Sequence, residues 1–200
     1  MPQERGNFGF WTATHYNDAM VDLDEQTLRR CRRGDPTALG SLYDAYRQPV
    51  FYLARRMVGE RDAEDVTQEA FIAVFKAVPR FRGRSKLSTW VMAVATKVCL
   101  MHLRKRGRKE GRTDSLEDTA VEPVTTLSPA QEVSGKEFWE RLSAAIDDLP
   151  EVQRAAITLR SFEEMSYEEI ARSLDADIEQ VRATLFRARQ RLIRELRDEK

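Results

Sequence analysis

The side chains best placed to do chemistry fall into three clusters, and each is suited to binding charge. The first is PRFRGRSKLSTW at residues 79–90, where Arg80, Arg82, Arg84 and Lys86 recur at every second position, with Phe81 inside the run and Trp90 after it. Pro79 and Gly83 argue against a regular helix here, and a packing strand would alternate apolar with polar. Arginines neutralise phosphates, and aromatic faces stack unpaired bases at roughly 1–3 kcal/mol each. Behind the loop, a helix starting near Ser88 runs into HLRKRGRKEGR, a cluster suited to phosphate contact. The ordinary alternative is a solvated basic surface with Phe81 and Trp90 in the core.

The second cluster is acidic. In ERDAEDVTQEAF, Asp62, Asp65 and Glu69 share one helical face, with Gln68 beside them. Acids in a first helical turn are favoured by the helix dipole, but Glu69 lies almost two turns in. A docking face for a basic protein partner is the functional reading. A two-metal hydrolytic site is a third, and it lacks a histidine or further convergent acid.

The third cluster is SYEEIARSLDADIEQVRATLFRARQRL. Ser166 to Glu169 and Asp177 to Gln180 are two capping boxes eleven residues apart. Their spacing leaves room for a short helix near 167–173 and a tight turn at 174–177, with Asp175 able to adopt a left-handed conformation. Arg182, Arg187 and Arg189 then point outward while Val181, Leu185, Ala188 and Leu192 point in. This is the pattern of a helix-turn-helix whose second helix enters the major groove. A plain helical hairpin with a solvated arginine face is the alternative.

The elements that must carry these clusters are helices. Leu42, Tyr46, Val50, Leu53 and Met57 recur at helical spacing, with Pro49 expected to bend the run. Val66, Ala70, Phe71 and Val74 form a second stripe; Trp90, Val91, Val94, Ala95 and Val98 form a third. The predicted architecture is all-α: a mobile leader over 1–23, a helical domain over 24–106, a flexible acidic linker over 107–136, and a helix-turn-helix domain over 137–200. Met20 is a candidate for the native start.

Lys plus Arg and Asp plus Glu are balanced at 33 each, yet the charges are segregated. Eleven basic residues and one acidic one lie between Arg80 and Arg112; six acidic and one basic lie between Asp114 and Glu137. Such a layout suits a polyanionic partner on one face. Cys31 and Cys99 form no CxxC pair, and Cys99 with His102 supplies only two ligands, so neither a disulfide framework, a zinc site nor a cofactor is expected. No signal peptide or membrane span is read from the sequence, and the expected location is cytoplasmic without membrane insertion.

The order of these parts resembles the extracytoplasmic-function group of bacterial RNA polymerase sigma factors. The segments LYDAYRQPVFYLARRM, DAEDVTQEAFIAVFKAVPRFRGRSKLSTWVMAVA, LPEVQRAAITLR and SYEEIARSLDADIEQVRATLFRARQRL carry the likeness. It implies that Asp62, Asp65, Gln68 and Glu69 dock on core RNA polymerase. It implies that the basic loop, with Arg80, Arg82, Arg84, Lys86, Trp90 and Lys97, takes the promoter −10 element as opened single strand. It assigns Arg160, Arg182, Phe186 and Arg187 to the duplex −35 element, and it implies an anti-sigma factor as a further partner. The chain departs from the family pattern at Val91, where a second tryptophan can stand, at Lys97 and Met101, and at Ala183 and Thr184. A promoter-specificity subunit without bond chemistry is the leading reading. A duplex-binding regulator that acts without polymerase is the alternative, and a nuclease using the Asp62/Asp65/Glu69 face stands behind both.

Overall fold

The computed structural model describes residues 23–109 and 135–198. The expected leader, Met20 and most of the acidic linker lie outside them. Helix α1 (Glu25–Arg32) is followed by α2 (Pro36–Val58), α3 (Glu60–Ala77) and α4 (Leu87–Lys109), then by α5 (Gly135–Asp147), α6 (Glu151–Ser161), α7 (Tyr167–Leu174) and α8 (Ile178–Asp198). No strand occurs among the described residues.

Local chemistry sets the helix ends. Asp24 caps α1 by accepting from the Thr27 amide at 2.9 Å, and Asp35 caps α2 by accepting from Ala38 at 3.1 Å. Pro36 occupies the first turn of α2, where its missing N–H is not needed. Gly59, at φ +87°, turns the chain directly from α2 into α3. The helix continues unbroken through Pro49, which is buried within it. Helix α4 likewise continues through Gly107 to Lys109, past the predicted edge of the linker. Arg108 donates back to the Arg104 carbonyl at 3.3 Å there, and Leu103 is buried one turn earlier. Together these offset the roughly 1 kcal/mol that a glycine costs inside a helix.

In the first module, Leu42, Tyr46, Leu53 and Met57 of α2 meet Val66 and Val74 of α3 and Val91 and Met92 of α4, all essentially without solvent exposure. In the second, Leu159 of α6, Ile170 of α7 and Leu185 of α8 are buried together. Both capping boxes form. Ser166 accepts from the Glu169 amide at 3.2 Å while Glu169 accepts from Ser166 at 2.8 Å. Asp177 accepts from the Gln180 amide at 2.7 Å, and Gln180 accepts in return at 2.9 Å. Asp175 sits between them at φ +51°, the left-handed turn that the sequence predicts.

The two helical regions also pack on each other. They share one continuous hydrophobic core: α7 and α6 pack on α4, and α6 packs on α2. Replacing Leu53 with alanine removes a fully buried side chain and should lower stability by about 2–5 kcal/mol in urea denaturation followed by circular dichroism.

Candidate nucleic-acid interface

The basic loop starts with a short 3₁₀ turn, Val78–Arg80, which the Phe81 amide closes by donating to the Val78 carbonyl at 3.1 Å. That turn directs Phe81 inward. Phe81 is only 7% exposed, lies 5.0 Å from the Trp90 ring, and has the Arg32 guanidinium over its other side at 5.8 Å. Phe81 therefore serves packing, and Trp90, half-buried at the start of α4, is the aromatic of the pair left facing outward. Arg80, Arg82, Arg84 and Lys86 are all exposed around Gly83, which has φ +69° and open space where a Cβ would stand. Val91, where the family resemblance would allow a second tryptophan, is fully buried.

Trp90 opens onto a cleft of about 420 Å³. One wall comes from the loop and α4, with Arg80, Arg82, Arg84, Thr89 and Lys97; the other is Glu169, Arg172 and Ser173 of α7. The walls are joined by hydrogen bonds. Thr89 donates to Glu169 at 3.0 Å, and Lys97 donates to both carboxylate oxygens of Asp175 at 2.9 Å. Burial pulls the Glu169 carboxyl upward, but hydrogen bonds from Ser166 and Thr89 hold it below its ordinary value.

The acidic face on α3 is divided. Asp62 accepts from His102 at 3.2 Å and Arg106 at 3.4 Å, and these contacts hold its carboxyl below the usual carboxylate range. It is thus engaged by α4, while Asp65, Gln68 and Glu69 are exposed. Ile72, 53% exposed, extends their face by one turn, a residue that sequence reasoning missed. The available signal was its phase: the buried stripe through Val66, Ala70, Phe71 and Val74 leaves Ile72 out, three residues beyond Glu69. The cysteine–histidine pair does not come together, since Cys99 is buried with its thiol pushed up to about 12 while His102 turns to Asp62. Among the described residues no group of three or more potential ligands could hold a metal ion.

On the helix-turn-helix, Val181, Leu185 and Ala188 bury the inner face of α8. Arg182 is exposed and paired with Glu179 at 2.7 Å, Phe186 is 45% exposed, and Arg187 is half-buried. Arg160 is exposed, but its guanidinium donates to the Met165 carbonyl at 2.8 Å and lies 5.4 Å over the Tyr167 ring. It holds the α6–α7 turn as well as facing solvent.

Two further contacts seal the modules together away from the loop. Arg154 of α6 donates to the Met57 carbonyl at 2.9 Å, placing a cation at the C-terminal end of α2 where the helix dipole favours one. Arg56 of α2 pairs with Glu163 at 3.4 Å and lies 4.3 Å over the Phe162 ring, with both charged side chains less than 10% exposed.

Residues 42–109 match the model of Sigma-70 region 2, and residues 139–192 match that of Sigma-70 region 4. The chain is 34% identical over 173 residues to the ECF RNA polymerase sigma-E factor of Haemophilus influenzae, covering 84% of this chain and 92% of that protein. It is 35% identical over 178 residues to the RNA polymerase sigma-H factor of Pseudomonas aeruginosa, covering 84% and 91%. This chain belongs to the ECF sigma factor family.

The fold agrees with solved sigma factors of lower identity. The sigma factor RpoE of Bartonella quintana, in complex with the anti-sigma factor NepR, matches with TM-score 0.59 at 23% identity, covering 80% of this chain and 98% of that one. CnrH, in complex with the cytosolic domain of CnrY, matches with TM-score 0.60 at 20% identity, covering 88% and 99%. In sigma-factor terms, the loop and α4 belong to region 2 and the helix-turn-helix to region 4. No helix of the described residues is long and apolar enough to cross a membrane.

Glu163 gives the contact between regions 2 and 4 a pH dependence. Burial pushes its carboxyl up to about 7, against the opposing pull of Arg56 facing it from α2. A raised carboxyl favours the packed arrangement when protonated. That contribution is complete below the ordinary value near 4.5 and is lost as pH rises through about 7. Glu169 and Asp62, both lowered, act only at more acidic pH. Hydrogen exchange of the 159–165 segment should therefore be slower at pH 6 than at pH 8 once intrinsic exchange rates are divided out.

Proposed function

We propose that this ECF sigma factor binds core RNA polymerase through the exposed α3 face, captures the opened −10 strand with the basic loop and α4, and reads the −35 duplex with α8. The carrying observation is that one chain places three chemically distinct exposed surfaces on two helical regions. These are an acidic–apolar face (Asp65, Gln68, Glu69 and Ile72), a cationic loop beside Trp90, and a helix-turn-helix bearing Arg182 and Phe186. Asp62 supports the first by orienting α3 on α4 through His102 and Arg106.

The division of labour follows from the side chains. Arg80, Arg82, Arg84 and Lys86 attract the phosphate backbone, and Trp90 offers a ring for an unpaired base. With Val91 buried in the second wedge position, strand opening relies on Trp90 alone and on a well-matched promoter. Lys97 adds a cation two helical turns further along the same face of α4. On α8, Arg182 and Arg187 are suited to guanine edges and flanking phosphates, Phe186 to a thymine methyl, and Arg160 to the backbone beside them. The domain boundaries that fit this assignment are 24–106 for region 2, 107–136 for the linker and 137–200 for region 4, with α4 carrying region 2 on to Lys109.

The protein is proposed to act in the cytoplasm, without catalysing bond chemistry or carrying a cofactor. The solved neighbours are complexes with an anti-sigma factor and with a cytosolic domain, which supports an anti-sigma factor as a partner here too.

Run-off transcription with purified core polymerase tests the reading. Transcripts from a cognate promoter should appear only when the chain is added, whereas a polymerase-independent regulator would shift promoter DNA unaided and give none. Trp90→Ala should reduce open-complex formation at least tenfold while leaving core binding intact. Arg187→Ala should weaken −35 dependence by roughly tenfold, the scale of one arginine–base contact of 1–3 kcal/mol. Gln68→Ala with Glu69→Ala should weaken core binding; wild-type affinity for core in that double variant refutes the α3 assignment.

A further inference from the structure

Helix α1 carries a cationic surface that none of the sites above uses. Its sequence, LRRCRRG over residues 28–34, sets Arg29, Arg30, Arg32 and Arg33 around buried Cys31, with no acid between Gln26 and Gly34. The helix dipole favours bases in a last turn, which explains their presence there. Their destinations differ. Arg30 is tied to Asp35 at 3.0 Å and fastens the turn into α2. Arg32 pairs with Glu25 at 3.4 Å and stands over the Phe81 ring at 5.8 Å. Arg29 and Arg33, four residues apart and so on one side of the helix, flank Arg32. Both are exposed, and neither forms an ion pair among the described residues.

Phe81 fixes where that side of α1 lies. The helix packs on the 3₁₀ turn that opens the basic loop, and the Phe81 ring that follows the turn touches Arg32 of α1 as well as Trp90, 5.0 Å away. Arg29 and Arg33 therefore stand beside the loop that bears Arg80, Arg82 and Arg84. They do so outside the cleft shared with α7, to which α1 contributes no residue. A strand whose bases face Trp90 and whose phosphates follow the loop meets α1 as it leaves the cleft.

We propose that Arg29 and Arg33 form a further phosphate-binding surface for single-stranded DNA, lengthening the track of the basic loop on the side away from the cleft. The inference rests on the reading of the loop as a single-strand binder made above. Phosphate contacts hold a strand in place without reading its bases, so α1 adds length and salt dependence to binding, not sequence preference. Arg32 has a separate task. Half-buried and engaged by Glu25 and Phe81, it positions α1 against the loop. An acidic protein surface is the competing occupant. Continuity with the loop arginines and Trp90 favours a nucleic acid, because a phosphate chain follows a line of separated cations.

The test uses the full-length chain and a fluorescein-labelled dT20 oligonucleotide, longer than a site of about 4–16 nucleotides. Affinity is read by anisotropy between about 50 and 200 mM salt. Each phosphate contact on a single strand contributes about 0.7 to the slope of log affinity against log salt. Arg29→Gln with Arg33→Gln should therefore lower the slope by about 1.4 and weaken binding at about 50 mM salt at least tenfold. Arg30→Gln with Arg61→Gln removes the same charge from a tied arginine of α1 and an exposed one of α3, and should change the slope by less than about 0.5. Affinity of the α1 variant for core polymerase should match the wild type. Unchanged far-UV circular dichroism shows that the chains remain folded. If the double variant does not, Arg29→Gln and Arg33→Gln singly decide, each lowering the slope by about 0.7. A slope change in the α1 variant no larger than in the control overturns the proposal. So does a loss of core binding with dT20 binding intact, which would assign α1 to an acidic protein surface. Failure of the underlying reading is a different result: Arg82→Gln with Arg84→Gln would then bind dT20 with the wild-type slope, or the wild type would not bind dT20 at all, and the α1 track falls with it.

Discussion

Helix α4 carries the central constraint of this molecule, because it is core on one side and, in the function proposed above, DNA-binding surface on the other. Its Val91, Met92, Ala95 and Cys99 close the hydrophobic core of region 2, while Thr89, Trp90 and Lys97 lie along the opposite flank. A helix of this kind cannot leave its second flank wholly apolar without aggregating, nor wholly charged without losing the half-buried aromatic. The observed compromise is a tryptophan backed by buried Phe81 and flanked by arginines. Packing holds the ring in one orientation, which spares the entropy that a free side chain would lose on binding.

The same constraint explains why the two regions meet where they do. The second flank of α4 offers partly apolar surface together with hydrogen-bonding groups. Helix α7 brings a matching set: buried Ile170, Ala171 and Ser173 with Glu169 at the edge. Glu169 serves twice, accepting from Ser166 within its capping box and from Thr89 across the contact. Local helix chemistry and long-range packing therefore share one carboxylate. Arg154 repeats the economy at the far end, capping α2 from α6.

Much of the candidate site was legible in the sequence because its signals are local. Capping boxes, a left-handed Asp175 and the outward Arg182 and Arg189 of α8 all depend on residues within a few positions of one another, and each is present as read, whereas Arg187 is half-buried. For Phe81 the sequence left stacking and core packing open, because a loop aromatic between arginines fits both, and the structure buries it. The 3₁₀ turn that precedes it packs against α1 and α3, contacts that only the tertiary structure supplies. Asp62 and Ile72 show the same limit from opposite directions. One acid is taken up by His102 and Arg106, forty and forty-four residues away, and one apolar residue is left outside the core.

The sequence by itself determined the helical stripes, the capped starts of α7 and α8, the helix-turn-helix and the segregation of charge, since 3.6-residue periodicity and capping are written in neighbouring residues. Only the tertiary structure decided which face of α4 is covered, that Arg56 finds Glu163 across more than a hundred residues, and that the two regions close on each other. Those outcomes depend on the shape and desolvation of surfaces that no local pattern encodes.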